Sequence, residues 1–464
     1  MLFNSFIFIF LFLPVVFAGY FLLQKFRPQF AYIWLAFSSL FFYAYWNIVY
    51  LPILLFSILF NYLISIYITR DTARSLEPKK RRLLFIFGII VNIGLLGFFK
   101  YSNFFLENIN ALFGSQIHLL KIFLPLAISF FTFQQIAYLV DSYRGSVKEM
   151  NFFSFVLFVT FFPQLIAGPI VHHSEMMPQF ADKEKRRINW ENISKGLFLF
   201  CLGLFKKVMI ADSFAKWANQ GFESAGVLSS ADAWLTSLSY TFQLYFDFSG
   251  YTDMAIGIAL LFNIVLPQNF NSPYKALNIQ DFWRRWHMTL SRFLRDYIYI
   301  PLGGNRLGEW KTSRNLFLVF LIGGLWHGAS WMFVIWGVLH GLGIIVYRLW
   351  EKTQIQMPKI LAWFLTFHFI NITWIFFRAN DIQSAFGILK SMFWPFENFS
   401  LSLFGFKTLI CLLLVSMVVL FFKNSDERVQ KWSPNFIWLV ISFGMFFVSF
   451  YYINSFSEFL YFNF

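Results

Sequence analysis

The segment GGLWHGASW, residues 323–331, places a histidine in a stretch that is otherwise apolar or small. An imidazole titrates near neutral pH and is costly to bury without a hydrogen-bonding partner. His327 is therefore a candidate general base. The competing interpretation is a structural histidine whose ring is satisfied by a backbone carbonyl. The segment by itself leaves both interpretations open.

Small residues surround this histidine. Gly324 and Gly328 are four residues apart and Gly323 lies beside them, which leaves a helix surface without side chains. Such a surface lets a neighbouring helix approach closely, or it leaves room for a narrow substrate. The segment WGVLHG, residues 336–341, repeats the arrangement around His340, for which we favour a structural role.

The segment NIQDFWRRWHMTLSRFLRDYIYIPLGGNRLGEWKTSR, residues 278–314, predicts an amphipathic helix at the membrane surface. At about 100° per residue, the residues that share the apolar face with Trp283 are Trp286, His287, Leu290, Phe293 and Leu294. The opposite arc holds Arg284, Arg285, Arg292 and Arg295. Asn278 is the predicted N-cap, and Asp281 in the first turn favours the helix dipole. His287 should point into the protein, whereas the arginines should meet anionic lipid or the phosphates of a large anionic cofactor.

Two further polar stretches interrupt the apolar sequence. FFPQLIAGPIVHHSEMMPQF, residues 161–180, carries several prolines that prevent a continuous helix, so we expect a re-entrant element with its two histidines near the membrane interface. QLYFDFSGYTDMAIG, residues 243–257, places Asp247 and Asp253 in an apolar context, where carboxylates are candidates for functional sites. We favour the alternative that both carboxylates bond to backbone or arginine partners and brace the helices.

The composition is that of a membrane protein with many crossings. Of 464 residues, 58% are hydrophobic and 13% are charged, against about 25% charged residues in a typical soluble domain. Apolar runs near the length that spans a bilayer occur at 6–23, 30–46, 48–68, 83–99, 331–347, 361–377 and 409–422. We expect an all-α bundle of about eleven or twelve spans with re-entrant and amphipathic helices, in a single domain of residues 1–464. The first run lacks a basic n-region, so it is expected to be a retained helix.

The formal charge of +14 does not indicate nucleic-acid binding, because the basic residues cluster in short loops between apolar runs. Such loops mark the cytoplasmic side, and they hold Lys25, Arg27, Arg70, Arg74, Lys79, Lys80, Arg81, Arg82, Lys183, Lys185, Arg186 and Arg187. Two spans separate the first loop from the second, which returns the chain to the same side and places the N-terminus outside.

The sequence has no G-x-S-x-G, P-loop, H-E-x-x-H or C-x-x-C motif, and Cys201 and Cys411 match neither a disulfide framework nor a metal site.

FWRRWHMTLSRFLRDYIYIPLGGNR, followed forty residues after its histidine by GGLWHGASW, resembles the membrane-bound O-acyltransferase (MBOAT) family, in its AlgI-like branch of polysaccharide O-acetyltransferases. The segments LPLAISFFTFQQIAYLVDSYRG, FFPQLIAGPI, QLYFDFSGYTDMAIG and NFNSPY resemble the same branch in the same order. The resemblance extends from the first helix to the segment WIFFRAND near residue 381.

This resemblance implies a bundle of tilted helices around a central tunnel, with an acyl donor entering from the cytosol and an acceptor from the opposite face. His327 matches the signature histidine of the family and is the implied general base. His287 matches a second polar position, where other members carry Asn or Asp, and would orient the donor or stabilise developing charge. The implied donor is acetyl-CoA, as a substrate and not as a tightly bound cofactor. The residues expected to hold it are Arg284, Arg285, Arg292, Trp283 and Trp286; no metal site is expected.

The implied reaction is transfer of acetyl groups across the membrane for O-acetylation of an envelope polysaccharide, either peptidoglycan or an alginate-like glycan. A bacterial inner-membrane location is implied, with contacts to membrane lipid and a periplasmic or secreted acetyltransferase partner of the SGNH type; nucleic acid is not an expected partner. We favour peptidoglycan, because the abundant Phe, Ile, Asn and Lys suggest an AT-rich genome, which is less typical of alginate producers.

Three alternatives stay open at this point. A transporter or flippase of lipid-linked sugars could use the intramembrane histidines and aspartates as a proton relay, although the sequence shows no internal repeat of the kind on which many transporters are built. A covalent acetyl-enzyme on a histidine or on Cys201 is a second alternative, for which no activating pair is visible. A scaffold for polysaccharide secretion is the third, but it would not need two histidines at this spacing.

Overall fold

The computed structural model describes residues 1–69, 76–147, 151–394, 400–453 and 460, and these residues form helices without a β-strand. The predicted all-α class is therefore confirmed. The chain divides into two compact units, the first made of residues 1–201, 251–267 and 434–438 and the second of residues 202–250, 268–433 and 439–464. The expectation of one domain over residues 1–464 stays a prediction.

The first unit is built from helices that begin where prolines favour a first turn. Prolines occupy the first or second position of α1 to α4, where the missing N–H would have no intrahelical partner. The helices are α1 (Leu13–Phe26), α2 (Pro28–Ala44), α3 (Leu51–Ile68), α4 (Pro78–Phe113), α5 (Ile128–Arg144), α6 (Phe152–Thr160), α7 (Phe162–Leu165) and α8 (His173–Ala181). A ninth helix, α9 (Trp190–Phe205), continues into the second unit. Of the loop arginines, Arg70 and Arg74 lie outside the described residues.

The second unit contains the segments with the candidate histidines. Its helices are α10 (Asp212–Glu223), α11 (Ser230–Leu261, which enters the first unit at residue 251), α12 (Ile279–Arg285), α13 (Met288–Leu294), α14 (Glu309–His327), α15 (Trp331–Lys352), α16 (Lys359–Arg378), α17 (Ile382–Phe393), α18 (Phe406–Phe421), α19 (Ser425–Gln430) and α20 (Phe436–Tyr452). α14 and α15 form an antiparallel hairpin with α16 packed beside α15, and this group of helices positions the site.

Five helices within the described ranges are long and apolar enough to cross a membrane. They are Phe8–Phe26, in which a π-helical turn precedes α1, Ile48–Ile68, α4, α15 and α16. Two shorter apolar helices, α18 and α20, accompany them. The chain is thus a multi-pass membrane protein, while the expected number of eleven or twelve spans and the sides of the loops stay predictions.

The re-entrant stretch within residues 161–180 is broken as expected. α7 ends at Leu165 and α8 begins at His173, so that residues 166–172 carry no regular helix, and residues 161–171 are buried. His173 is 7% exposed and packs between the rings of Tyr138 and Phe158, while the expected place of the two histidines near the membrane interface stays a prediction. The aromatic neighbours supply enough apolar contact to bury the imidazole.

Asp247 braces the second unit through a buried ion pair. Lys207 Nζ lies 2.8 Å from Asp247 Oδ1 and 2.6 Å from Asp212 Oδ1, and all three side chains are almost fully buried. The backbone N–H of Leu460 donates to the other oxygen of Asp247 at 3.1 Å. The favoured structural interpretation of Asp247 is confirmed, with a lysine in place of the expected arginine.

The prediction of a single amphipathic helix within residues 278–314 is wrong. Asn278 caps α12 as expected, because its Oδ1 accepts from the Asp281 N–H at 2.7 Å. The helix ends at Arg285, however, and α13 begins at Met288 after His287, whose φ of 43° lies in the left-handed region. A left-handed residue cannot continue a right-handed helix, so the helical phase changes at this point.

Candidate functional site

His327 is the last residue of α14, and residues 328–330 turn the chain into α15. Ser330 caps α15, since its Oγ accepts from the Met332 N–H at 3.2 Å. At the other end of the hairpin, Lys352 donates to Glu309, which joins the end of α15 to the beginning of α14. The turn and this ion pair fix the hairpin at both ends, and they hold His327 at the turn end.

The glycines of the hairpin divide into two groups. A Cβ on Gly324 would lie 2.4 Å from the carbonyl oxygen of Phe333 and 3.1 Å from the Cα of Gly337, so the backbones of α14 and α15 meet at this point. A Cβ on Gly323 would meet Leu294 at 3.6 Å, which is an ordinary contact. The small residues therefore serve both purposes considered for them: close helix approach at Gly324 and open space at Gly323.

A cavity of about 380 Å³ lies within the second unit and has His327 in its wall. Its lining comprises Gln280, Trp283 and Arg284 from α12, Leu290, Ser291 and Leu294 from α13, Arg295, Tyr299 and Asn305 from the following segment, Leu316, Val319, Phe320, Gly323 and His327 from α14, and Trp336, Ile344 and Arg348 from α15. The volume is within the range of small-molecule sites, and the lining is mostly apolar with a few polar groups, as such sites require.

Aromatic rings hold His327 in place. The centroids of Trp336 and Phe377 lie 5.2 and 5.1 Å from that of the imidazole, at interplanar angles of 86° and 73°. Trp326 adds a third ring at 4.9 Å. His327 is 5% exposed. The rings exclude water and restrict the orientation of the imidazole, so its electrostatic interactions are stronger than they would be in water.

The cavity extends along α15 from the histidine to a group of arginines. Trp336, which contacts His327, and Arg348 are twelve residues apart, which corresponds to about 18 Å of helix. Arg284 and Arg295 line the same cavity. Arg295 also pairs with Asp296 at 2.7 Å. One elongated space therefore combines a buried imidazole with three guanidinium groups, which suits a ligand with an anionic part and a reacting part.

His287 lies outside this cavity and is fully buried. Its Nδ1–H donates at 3.1 Å to Asn269 Oδ1, which also accepts from the N–H and the hydroxyl of Thr289 at 3.2 and 3.0 Å. Burial lowers the pKa of His287 to about 3, so the ring is neutral. It packs against Phe248 and at 6.2 Å from Trp326, the neighbour of His327. His287 thus shapes the break between α12 and α13.

Trp283 lines the cavity and also contacts His340. Its indole Nε1–H donates to Nδ1 of His340 at 3.1 Å, and His340 is fully buried between aromatic rings that include Trp336 and Phe369. The structural role favoured for His340 agrees with this contact. His340 fixes the orientation of one wall of the cavity.

The structure brings together only part of the predicted site. His327, Trp283 and Arg284 line the cavity, whereas His287, Trp286, Arg285 and Arg292 do not. Trp286 is buried against Phe282 and Trp374, and Arg285 pairs with Asp281 at 2.8 Å. Arg295 was predicted on the basic arc but not among the donor-binding residues, and Arg348 was not predicted as a site residue. The signal for Arg348 was present, since Trp336, His340, Ile344 and Arg348 recur every four residues on one face of α15.

No group of three or more His, Cys, Asp or Glu side chains within the described residues could hold a metal ion. Cys201 and Cys411 are free thiols and are both partly buried.

Comparison with known proteins gives matches to one protein family and to several transferases. The sequence profile of MBOAT, the membrane-bound O-acyltransferase family, matches residues 142–386, which include every residue of the cavity lining. The peptidoglycan O-acetyltransferase of Helicobacter pylori is 56% identical over 424 residues, covering 84% of this chain and 80% of the relative. The probable alginate O-acetylase AlgI of Pseudomonas aeruginosa is 40% identical over 400 residues, covering 85% and 75%. The teichoic acid D-alanyltransferase of Bacillus subtilis is 27% identical over 279 residues, covering 56% and 69%.

Proposed function

Because the chain belongs to the membrane-bound O-acyltransferase family, we propose that it transfers acetyl groups from acetyl-CoA for the O-acetylation of peptidoglycan. The observation that carries the proposal is the single cavity shared by His327 and the guanidinium groups of Arg284, Arg295 and Arg348. Peptidoglycan is preferred to an alginate-like glycan because the similarity is 56% to the relative named for peptidoglycan and 40% to the one named for alginate. Membership of an acyltransferase family favours transfer over the alternative of a sugar transporter.

The arginines are the proposed binding groups for the phosphates of acetyl-CoA. Guanidinium groups form charge-assisted and often bidentate hydrogen bonds with phosphate oxygens. Apolar residues such as Leu294, Val319 and Ile344 line the cavity between Arg348 and His327. They suit the less polar arm of the donor, whose thioester would then lie near the imidazole. The donor is a substrate in this proposal and is released as free coenzyme A.

His327 is the proposed general base. The imidazole takes the proton from an acceptor hydroxyl as that oxygen attacks the thioester carbonyl carbon. The new C–O bond forms, the C–S bond breaks, and the imidazolium returns its proton to the departing thiolate. General base catalysis of this kind contributes roughly 10²–10⁴-fold. The positions of Trp336 and Phe377 keep the imidazole aimed into the cavity.

The proposed orientation places the arginine end of the cavity in the cytosol. The segment before α14 and its first turns carry Arg306, Lys311 and Arg314, and the joined end of α15 carries Arg348 and Lys352. Such an excess of basic residues is typical of the cytoplasmic side. The protein would then act in the bacterial inner membrane, take its donor from the cytosol and deliver acetyl groups to the opposite face. A periplasmic or secreted SGNH-type acetyltransferase would pass them to the glycan.

The test compares strains that carry the wild-type protein, His327→Ala or His368→Ala. Mild base releases ester-linked acetate from purified cell wall and, separately, from secreted polysaccharide. We expect His327→Ala to abolish acetate in the wall fraction while the protein stays in the membrane. The His368→Ala control, in which the removed ring lies on α16 outside the cavity lining, should keep it. Retention of wall acetate by His327→Ala would refute the mechanism, and loss from the secreted fraction alone would indicate a different glycan.

The donor is tested separately in membrane vesicles of known orientation. Radiolabelled acetyl-CoA is supplied only on the outside of inside-out or right-side-out vesicles, while a soluble glycan acceptor and the partner protein are present on both sides of the membrane. Transfer should require donor on the cytosolic face and should be absent with His327→Ala. Equal transfer from both faces would overturn the proposed orientation.

A further inference from the structure

A second and larger cavity lies on another face of α15. It has a volume of about 700 Å³ and is formed by α15, α16, residues 354–357 between them and residues 277–279. Its inner end is lined by Leu339 and Phe369, and its outer end by Glu351 and Lys359. The cavity lies within the second unit, and the reaction proposed above does not use it.

The walls of this groove expose apolar side chains. Leu342, Val346 and Leu365 line it and are 48%, 64% and 48% exposed, although they lie on two helices that are long and apolar enough to cross a membrane. Apolar side chains exposed on such helices contact lipid. The groove is therefore open to acyl chains.

The length of the groove matches one leaflet. Leu339 and Glu351 are twelve residues apart on α15, which corresponds to about 18 Å. Half of a hydrocarbon core of about 30 Å is about 15 Å. Tyr347 and Trp350 lie toward the outer end, where aromatic residues mark the boundary between the hydrocarbon and the headgroups. One acyl chain would fill the apolar part, with its headgroup beyond Trp350.

The outer end carries groups of both charges. Glu351 and Lys359 both line the groove and are exposed, and Gln354 and Gln356 provide amides beside them. A lysine ammonium suits a lipid phosphate, and a carboxylate suits a primary ammonium group that can donate hydrogen bonds. An anionic headgroup without an amine would meet the carboxylate unfavourably, and a choline headgroup has no N–H to donate to it.

From these features we propose that the groove between α15 and α16 is a specific binding site for one phospholipid with a phosphoethanolamine headgroup. The acyl chain packs on Leu342, Val346 and Leu365, the phosphate binds Lys359, and the ammonium group binds Glu351. The inner end of the groove is linked to the cavity of His327 by side-chain contacts, because the ring of Phe369 lies 5.7 Å from that of His340, which accepts the hydrogen bond of Trp283. The bound lipid thus supports the helices that form both spaces.

The test is native mass spectrometry of the full-length protein purified in mild detergent and supplemented with phosphatidylethanolamine, phosphatidylglycerol or phosphatidylcholine. Wild-type protein should retain one phosphatidylethanolamine at a collision energy that removes the other two lipids. Val346→Trp fills the groove and should abolish this retention. The matched control is Leu349→Trp, which adds the same ring to an equally exposed position of α15 outside the groove, since Leu349 is 57% exposed. It should retain the lipid.

A pair of headgroup variants keeps the proposal testable if Val346→Trp fails to fold. Lys359→Gln should weaken retention about tenfold, which is the loss expected for one charge-assisted hydrogen bond. Glu351→Gln should remove the preference for phosphatidylethanolamine over phosphatidylglycerol. Lys407→Gln, at an exposed lysine of α18 outside the groove, serves as the charge control. Equal retention of all three lipids by the wild type, or the same effect from Lys359→Gln and Lys407→Gln, would overturn the proposal.

Discussion

The indole N–H of Trp283 and Nδ1 of His340 form a hydrogen bond of 3.1 Å between α12 and α15. Because Nδ1 accepts this bond, the ring of His340 is neutral and carries its proton on Nε2. Trp283 is the partner that lines the cavity of His327. The two histidines of the α14–α15 hairpin therefore differ in role: His327 faces the cavity, and His340 positions a wall of it.

His340→Ala should lower the free energy of unfolding by about 2–4 kcal/mol, because it leaves the buried N–H of Trp283 without an acceptor and opens a void among aromatic rings. Trp283→Phe removes the hydrogen bond and part of the ring but keeps an aromatic side chain, and should cost about 1–3 kcal/mol. Thermal unfolding of the detergent-purified protein measures both. The control is His368→Ala, at a ring that bonds only to a carbonyl of its own helix. A loss as large for His368→Ala as for His340→Ala would contradict the assigned role.

Arg295→Gln and Arg348→Gln should each raise the KM for acetyl-CoA about tenfold or more, since each removes a charge-assisted contact to a phosphate. The kcat should change less, because the phosphates lie far from the reacting carbonyl. The matched controls are Arg285→Gln and Arg292→Gln, which remove the same charge outside the cavity lining. Steady-state kinetics in reconstituted vesicles distinguish the two pairs. A larger effect from Arg292→Gln would show that the donor binds elsewhere.

These two pairs of arginines show where prediction from the sequence ends. The face of an amphipathic helix can be computed only while the helix continues. The projection placed Trp283 and Arg284 on opposite arcs, but both residues line the same cavity. Beyond Arg285 the left-handed backbone of His287 and a π-helical turn from Arg295 to Tyr299 reset the phase. Arg292 and Arg295 were predicted on the same basic arc, but only Arg295 lines the cavity. The period of apolar residues does not show where a helix is interrupted in this way.

The parts that were predictable depend on chemistry that is local in sequence. The capping of α12 by Asn278 and the interruption of the helix near Pro163 were each visible in a few adjacent residues. The interruption was expected because proline lacks an N–H donor and clashes with the preceding turn. The partners of Asp247 and His340 were not predictable, because they are forty and fifty-seven residues away in the chain. Only the packed helices bring those side chains together.

His287→Asn should fold like the wild type at pH 7, because asparagine tolerates the left-handed region and its amide can donate to Asn269. The two proteins should differ in acid. Burial lowers the pKa of His287 to about 3, so below the unfolded value of about 6.5 the unfolded state binds the extra proton and folding weakens. When the pH falls from 6.5 to 5, the free energy of unfolding of the wild type should decrease by about 2 kcal/mol more than that of His287→Asn. Denaturant or thermal unfolding at the two pH values measures this difference, and parallel curves would place His287 in a wetter environment than the structure shows.

Gly323→Ala and Gly324→Ala each add one methyl group, at adjacent positions of α14. We expect the first to lower acetyl transfer and the second to lower stability. At Gly324 the new Cβ would lie 2.4 Å from a backbone oxygen of α15, which requires the hairpin to open. We expect a loss of about 1–3 kcal/mol in stability, as for other overpacked sites. At Gly323 the nearest contact would be 3.6 Å, so the protein should keep its stability. The methyl group would instead project into the cavity beside His327, and acetyl transfer should fall while the unfolding temperature stays unchanged. Measuring both quantities for both variants tests the division, and equal stability losses would show that the hairpin is packed as tightly at Gly323 as at Gly324.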